Sequence, residues 1–425
     1  MDSLVLVLFV TFLIFLAMGV PVAYSLGMSS FVYLLLADID LFAIPQKMYG
    51  GMDSFVLLAI PGFVLAGNLM NTGGITEKIV DFGDKIFGHI RGGLGFANII
   101  SSMIFAGISG TAVADTASVG GVMIPAMKKA GYDSDYSCAV TAASSTIGPI
   151  IPPSVPMIVA GTLTGISVGR LFVAGVIPGV LVGLFQMGVN WHIARKRGYP
   201  KGKRATIKEV FTSLKSAIWA VLMTLIILFG ILGGYFTPTE AAIIAVLYAI
   251  VVGLFVYKEL KISMLPKILA DSARSSASIL ILVGFANVFA WILTSEQIPQ
   301  MIANGMLALT TNRILIILLI NLLLLFVGMF METLSAIVIL FPVLLVVTRS
   351  IGMPDIQFAS MAVLNLVIGL ITPPVGVCLF LAAKIGDISL LRITKAIMPF
   401  LVVNLIVLFL VAFVEPITMW LPSFL

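Results

Sequence analysis

Apolar residues in this chain do not alternate with polar ones; they run in long blocks, among them 4-LVLVLFVTFLIFLAMGV-20, 218-IWAVLMTLIILFGIL-232, 314-ILIILLINLLLLFVG-328 and 400-FLVVNLIVLFLVAFV-414. About 20 apolar residues in a helix cross a bilayer core of about 30 Å. With no water in that core to satisfy exposed backbone, helices are the elements this pattern supports. The blocks predict spans over 3–20, 22–36, 54–72, 134–164, 169–194, 212–232, 239–257, 274–294, 356–383 and 391–414. The fold class expected is an all-α polytopic membrane protein.

Two further apolar regions, 93–130 and 313–349, do not read as single crossings. Each has a Gly-rich or polar break near its middle and charge at both ends: Arg91 with Lys128 and Lys129, and Arg313 with Arg349. That pattern suits a re-entrant hairpin that enters and leaves by one face. The span 134–164 is interrupted by 146-TIGPIIPPSVP-156, whose four prolines each remove a donor and cost a helix about 3 kcal/mol. Two stretches, 75-ITEKIVDFGDKIFGHI-90 and 258-KELKISMLPKILADSAR-274, mix charge with periodic apolar residues and predict helices lying in the interface.

Composition agrees with lipid as the solvent. Hydrophobic residues make up 60% of the 425 and charged residues 10%, against about 25% charged in a soluble domain. The first segment opens Met1-Asp2-Ser3 without a basic n-region, so it reads as a span, not a cleaved leader. Cys138 and Cys378 sit in separate apolar segments and carry no redox signal, and His89 and His192 stand alone and read as interfacial side chains. The stretch 198-GYPKGKR-204 lacks the Gly–Lys–Ser/Thr ending of a nucleotide-binding loop. Neither an enzyme nor a nucleic-acid binder is therefore expected, and no cofactor.

Charge sets the expected orientation. The loop 195-RKRGYPKGKRATIK-208 carries seven basic residues and reads as cytoplasmic. With the N-terminus outside, all Lys and Arg except Lys47, Arg170, Arg313 and Arg349 fall in cytoplasmic loops or flanks. The C-terminal 415-EPITMWLPSFL-425, without basic residues, is then also outside.

Letters recur between the halves. 115-DTASVGGVMIP-125 and 332-ETLSAIVILFP-342 share the pattern [DE]-T-x-S-x6-P; 152-PPSV-155 answers 373-PPVG-376, 166-ISVGR-170 answers 388-ISLLR-392, and 19-GVPVA-23 answers 236-FTPTEA-241. Four matches in one order indicate a duplicated unit whose second copy starts near residue 212. Five predicted spans separate the hairpins, an odd number, so the copies are expected to be inverted. Inverted repeats with broken helices let one midplane site face either side in turn, which points to a transporter. An ion channel is the rival class, since it too uses unwound backbone, and a binding-protein-dependent ATPase permease is a further alternative.

Half-helix C-termini offer carbonyls that suit Na+, and half-helix N-termini suit an anion. One cation site is expected from Ser109, Gly110, Thr111, Ser145, Thr146 and Gly148, and its counterpart from Gly328, Met329, Thr333, Gly369, Thr372 and Pro373. Asp115 and Glu332 stand at equivalent places just after each tip and are expected to hold the tips or to lie near the cation, with a proton relay as the alternative. Glu240 is a third candidate acid, either on the substrate path or a helix-dipole partner. Ser154 and Ser167 could offer hydroxyls to substrate or serve only in packing. The transport regions are expected at 93–168 and 313–390, with scaffold and arms at 1–92 and 169–312 and a last scaffold helix at 391–425. If the transport regions move as a block on such arms, the mechanism is an elevator.

The combination 107-GISGTAVADTAS-118, 146-TIGPIIPPS-154, 237-TPTEA-241 and 371-ITPPVG-376 resembles the large membrane (M) subunit of tripartite ATP-independent periplasmic (TRAP) transporters, over essentially the whole chain. The resemblance implies Na+-driven uptake of an organic acid across a bacterial inner membrane. It implies a periplasmic substrate-binding (P) protein and a small four-helix (Q) subunit, which here is expected as a separate chain. It also implies an elevator fold similar to divalent-anion/Na+ symporters, with the residues above as Na+ sites and Asp115, Glu240 and Glu332 important for transport. The chain sits nearest the sialic acid members, with C4-dicarboxylates and other sugar or keto acids as alternatives.

Overall fold

The computed structural model describes residues 3–202, 204–310 and 312–425, so Lys203 of the basic loop and the Met1–Asp2 start lie outside the described residues. Described residues form helices and connecting turns, with no strand among them. Eight of these helices are long and apolar enough to cross a membrane. The first two expected spans, Ser3–Ala17 and Val22–Leu36, have 15 residues each, about 22 Å, because Gly19 (φ +81°) and Pro21 end one and delay the other.

The first hairpin pairs Gly93–Ser109 with Ala112–Lys129, and the second pairs Arg313–Phe330 with Thr333–Ser350. Each is followed by a helix in two pieces: Ser134–Ser145 and Val155–Thr164, then Asp355–Gly369 and Val377–Gly386. These broken helices form the centre of the molecule. Every residue from Tyr136 to Ala160, across the first break, is buried, as is every residue from Phe358 to Thr372. Unwound backbone is tolerated there because protein, not lipid, covers it. Helix Arg313–Phe330, in contrast, exposes Leu322, Phe326 and Phe330, as a lipid-facing element should.

Two long helices fix how the broken ones run. Val168–Lys196 spans about 43 Å. It begins just after Thr164, and beyond its far end Arg197 reaches Asp133 (2.9 Å) and Asp135 (3.0 Å) at the start of the first broken helix. That broken helix therefore crosses the full thickness. Leu390–Phe413, about 36 Å long, does the same for the second: Gln357 Nε2 donates to the Val411 and Ala412 carbonyls at 3.1 Å each. Lys128 Nζ, at the base of the first hairpin, donates to Gly386 O (2.8 Å) at the end of the second broken helix. Arg349, at the base of the second hairpin, pairs with Asp355 (2.6 Å) at the start of that same helix. The two hairpin bases lie at opposite ends of the bundle.

The remaining helices of ten or more residues are Ala43–Met52, Ala59–Thr72, Ile75–Phe87, Ile207–Leu232, Pro238–Val251 with a wider-wound extension to Tyr257, Leu265–Ser295 and Ile298–Leu309. Capping boxes start two of them, Thr206 with Glu209 and Thr237 with Glu240. The stretch expected as an interfacial helix over 75–90 is helical over Ile75–Phe87. The one expected over 258–274 does not stand apart: after a short turn at Ile262–Met264, a single helix of 31 residues runs from Leu265 to Ser295. Pro266 sits in its first turn, where proline is tolerated, and no later residue breaks it, so Lys267, Asp271 and Arg274 ride on the first turns of a span. Ala43–Met52 and Ile298–Leu309 were not anticipated, being too short to stand out as apolar blocks.

Candidate substrate and cation site

Each hairpin tip is sealed against the break of its own broken helix by one backbone bond. Val155 N donates to Gly110 O, and Gly376 N donates to Met329 O, both at 3.4 Å. At the first tip Gly110 takes φ +62°, a conformation other residues avoid, and Thr111 then caps the descending helix by accepting from Ala114 N. The Thr111 and Ser145 carbonyl oxygens converge over Gly148: a methyl group there would lie 3.2 and 3.3 Å from them. Gly148 therefore leaves open a small space edged by two hard oxygens. Ser109 Oγ donates to Thr111 O (3.4 Å), while Thr146 Oγ1 donates to Ala143 O (2.6 Å) and accepts from Asn404 Nδ2 (3.3 Å) of helix Leu390–Phe413.

The second set is arranged differently. Gly328 and Gly369 meet face to face, and a methyl on Gly369 would lie 2.5 Å from Gly328 Cα. These two glycines let the hairpin arm and the broken helix cross at backbone contact. Thr372 Oγ1 donates to Ile368 O (2.8 Å), which leaves its lone pairs free. Thr333 Oγ1 is buried and has no hydrogen-bond partner among the described residues. Pro373 begins a partly exposed break that includes Pro374 and Val375, unlike the fully buried first break.

Both tips open on one cavity of about 270 Å³, walled by Thr111 and Pro149 on one side, Glu332 and Thr333 on the other, and Ser275 and Ser278 of helix Leu265–Ser295 across from them. The N-termini of helices Ala112–Lys129 and Thr333–Ser350 adjoin it, each carrying about half a positive charge. No Lys, Arg or His lines it among the described residues. Ser275 and Ser278 were missed in the sequence. The signal was the polar run 272-SARSSAS-278, masked because residues 274–294 read as a plain apolar span.

The acids matched in sequence occupy different places. Glu332 is exposed to the cavity and makes no capping bond, so its carboxylate is available there. Asp115 is wholly buried, and its Oδ1 accepts from Ser102 Oγ (2.9 Å) and Ser145 Oγ (3.0 Å). Ser102 Oγ also lies 2.9 Å from Ser144 Oγ, and Asn98 donates to Thr141 (2.6 Å), so a polar network ties both hairpin arms to the broken helix beneath the tip. Asn98, Ser102 and Ser144 escaped the sequence reading because nothing local distinguishes them from packing residues. Glu240 lies outside the cavity, exposed, with its carboxylate closing the capping box on Thr237 N (2.8 Å). Ser154 caps Val155–Thr164 by accepting from Met157 N (3.2 Å), and Ser167 caps Val168–Lys196 by accepting from Arg170 N (3.4 Å); neither lines the cavity.

Helices broken at mid-depth, hairpins based at opposite ends and a shared cavity at their tips are the features of a transport protein rather than of a membrane enzyme. Comparison with known proteins makes this definite. The family described as "Tripartite ATP-independent periplasmic transporter, DctM component" matches residues 9–417, and the chain belongs to it. It is 42% identical over 408 residues to the sialic acid TRAP transporter large permease protein SiaM of Vibrio cholerae, covering 95% of each chain. It is 38% identical over 402 residues to the C4-dicarboxylate TRAP transporter large permease protein DctM of Pseudomonas aeruginosa, covering 94% of each. Among solved structures, the YdaH transporter of Alcanivorax borkumensis superposes with a TM-score of 0.62 at 16% identity over 88% of both chains, a likeness of fold alone.

Proposed function

We propose that this TRAP large permease drives Na+-coupled uptake of an organic acid, with sialic acid favoured and C4-dicarboxylates or other sugar or keto acids as alternatives. The observation that carries the proposal is a cavity at both hairpin tips that holds a carboxylate and, among the described residues, no basic side chain. An anion entering it finds no Arg or Lys for neutralisation and meets Glu332. Two helix N-termini offer partial charge, and the remaining positive charge must arrive with a cation. Coupling then follows, because substrate binds well only beside bound Na+. The carbonyls of Thr111 and Ser145 are the best-supported ligands for the first ion. Met329, Thr333 and Thr372 are the best placed for a second, since the Thr372 hydroxyl donates to Ile368 O and keeps its lone pairs, while Gly328 with Gly369 serve the helix crossing.

The proposed motion is an elevator in an inverted repeat. Gln186 Nε2 donates to Ala143 O (2.9 Å) and Asn404 Oδ1 (3.0 Å), and Tyr136 bonds Asn190, so helices Val168–Lys196 and Leu390–Phe413 are fastened to the broken helices. The moving block we propose therefore includes both, and is larger than regions 93–168 and 313–390. By charge counting, Lys47, Arg170, Arg313 and Arg349 fall on the side opposite the basic loop, which favours periplasmic termini. A separate small subunit and a periplasmic binding protein complete the proposed system.

Reconstitution tests this. Proteoliposomes holding both membrane subunits, given binding protein and labelled sialic acid, should accumulate substrate only under an inward Na+ gradient, and succinate should compete poorly. Non-saturable flux without Na+ or binding protein would mean a channel. A cysteine at Val113 should change its labelling when Na+ and substrate are added; constant sidedness would end the elevator reading.

A further inference from the structure

At the end of the bundle that carries the basic loop, two adjoining cavities share His89. The first, about 740 Å³, is edged by His89, Arg91, Arg195 and Lys201. The second, about 350 Å³, has Lys85 and Arg204 at its rim and an apolar floor formed chiefly by Ile207, Phe211 and Leu214. No acidic side chain lines either one among the described residues. The arrangement is built: Gly202 N donates to Gly88 O (2.8 Å), pinning the basic loop on the turn after helix Ile75–Phe87. Gly92, at φ +78°, lets that turn close on Ala194, where a methyl would lie 2.4 Å from the Ala194 side chain. The Arg195 guanidinium stacks over Trp191, 3.9 Å from the ring centre, which fixes one charge in place.

We propose that this is a binding site for one anionic phospholipid. A phosphate fits the basic cavity, where clustered cations at a membrane surface attract acidic headgroups. Acyl chains fit the apolar groove, which continues along the membrane-crossing helix Ile207–Leu232. Ile207 and Phe211 are 89% and 68% exposed, a large apolar surface beside concentrated charge that water alone would leave unfavourably solvated. Neither half explains the other: a free phosphate needs no groove, and an uncharged lipid needs no cations.

The test uses the delipidated complex with its small subunit, titrated with phosphatidylglycerol or phosphatidylcholine and read by native mass spectrometry. The intact complex should retain phosphatidylglycerol at least about tenfold better, and the combined variant Arg91→Gln, Arg195→Gln, Lys201→Gln should lose that preference. Phe211→Ser should weaken phosphatidylglycerol binding through the groove while leaving headgroup discrimination intact. Equal retention of the two lipids by the intact complex overturns the proposal, as does an unchanged preference in the triple variant. Full displacement by inorganic phosphate would make it a free-phosphate site. Protection of a cysteine at Lys201 by the small subunit in lipid-free detergent would make it a subunit contact. Should the triple variant fail to fold, the lipid comparison and the phosphate competition on the intact complex still decide.

Discussion

Replacing Gly369 with alanine isolates what the crossing of the second hairpin and the second broken helix contributes. The added methyl would lie 2.5 Å from Gly328 Cα and 2.7 Å from Gly328 O, both backbone atoms without a rotamer to change. Carbon atoms sit comfortably about 3.5–4.0 Å apart, so the helices must part by about 1 Å. Overpacking of this kind costs about 1–3 kcal/mol. The displaced arm carries Met329, whose carbonyl accepts from Gly376 N at 3.4 Å, a bond with little length to spare. If the strain falls on the ion-bound geometry, apparent Na+ affinity in uptake should drop about 5- to 150-fold. The structure also predicts an order. In Gly328→Ala the methyl meets Leu366 O at 3.0 Å and should do less harm, whereas Gly121→Ala meets nothing within 4 Å and should be neutral or stabilising by up to about 1 kcal/mol. Uptake against Na+ concentration in proteoliposomes, with thermal unfolding of the purified complex alongside, measures both. Wild-type Na+ dependence in Gly369→Ala, or greater damage from Gly121→Ala, would refute the reasoning.

Asp115→Ala removes the acceptor shared by Ser102 and Ser145 and should lower stability by about 2–4 kcal/mol as well as uptake, whereas Asp115→Asn, keeping an acceptor, should unfold later than the alanine variant in a thermal scan. Glu332→Gln keeps the shape of the cavity but removes its charge, so substrate should bind with weaker dependence on Na+ while melting stays within about 0.5 kcal/mol of wild type; unchanged Na+ dependence by calorimetry would count against Glu332. Ser278→Leu narrows the cavity from the helix Leu265–Ser295 side and should raise KM for substrate more than for Na+; equal effects would place substrate elsewhere. Arg197→Gln cuts partly exposed ion pairs to Asp133 and Asp135 and should cost at most about 1 kcal/mol, less in high salt, as denaturant titration at two ionic strengths would show.

How much was legible beforehand depends on whether a feature is local. Pro149, Pro152 and Pro153 forbid a continuous helix whatever surrounds them, so the first break could be read directly. The paired motifs beginning at Asp115 and Glu332 located both hairpins for the same reason. Equivalence of letters did not give equivalence of surroundings: Asp115 is buried and accepts from hydroxyls on two other helices, while Glu332 faces an open cavity. Charge was ambiguous too. Lys267, Asp271 and Arg274 suggested a separate interfacial helix, yet without a breaking residue the chain simply continued into the span.

The sequence alone determined that this chain lives in a bilayer, where its helices must fail and which end carries the positive charge, since hydropathy, proline sterics and charge counting need no partner. Only the tertiary structure decided that both tips open on one cavity with no basic side chain among the described residues, that Ser275 and Ser278 face them, and that Gly328 and Gly369 touch. Those facts belong to segments far apart in the chain, brought together by packing, and no residue carries them by itself.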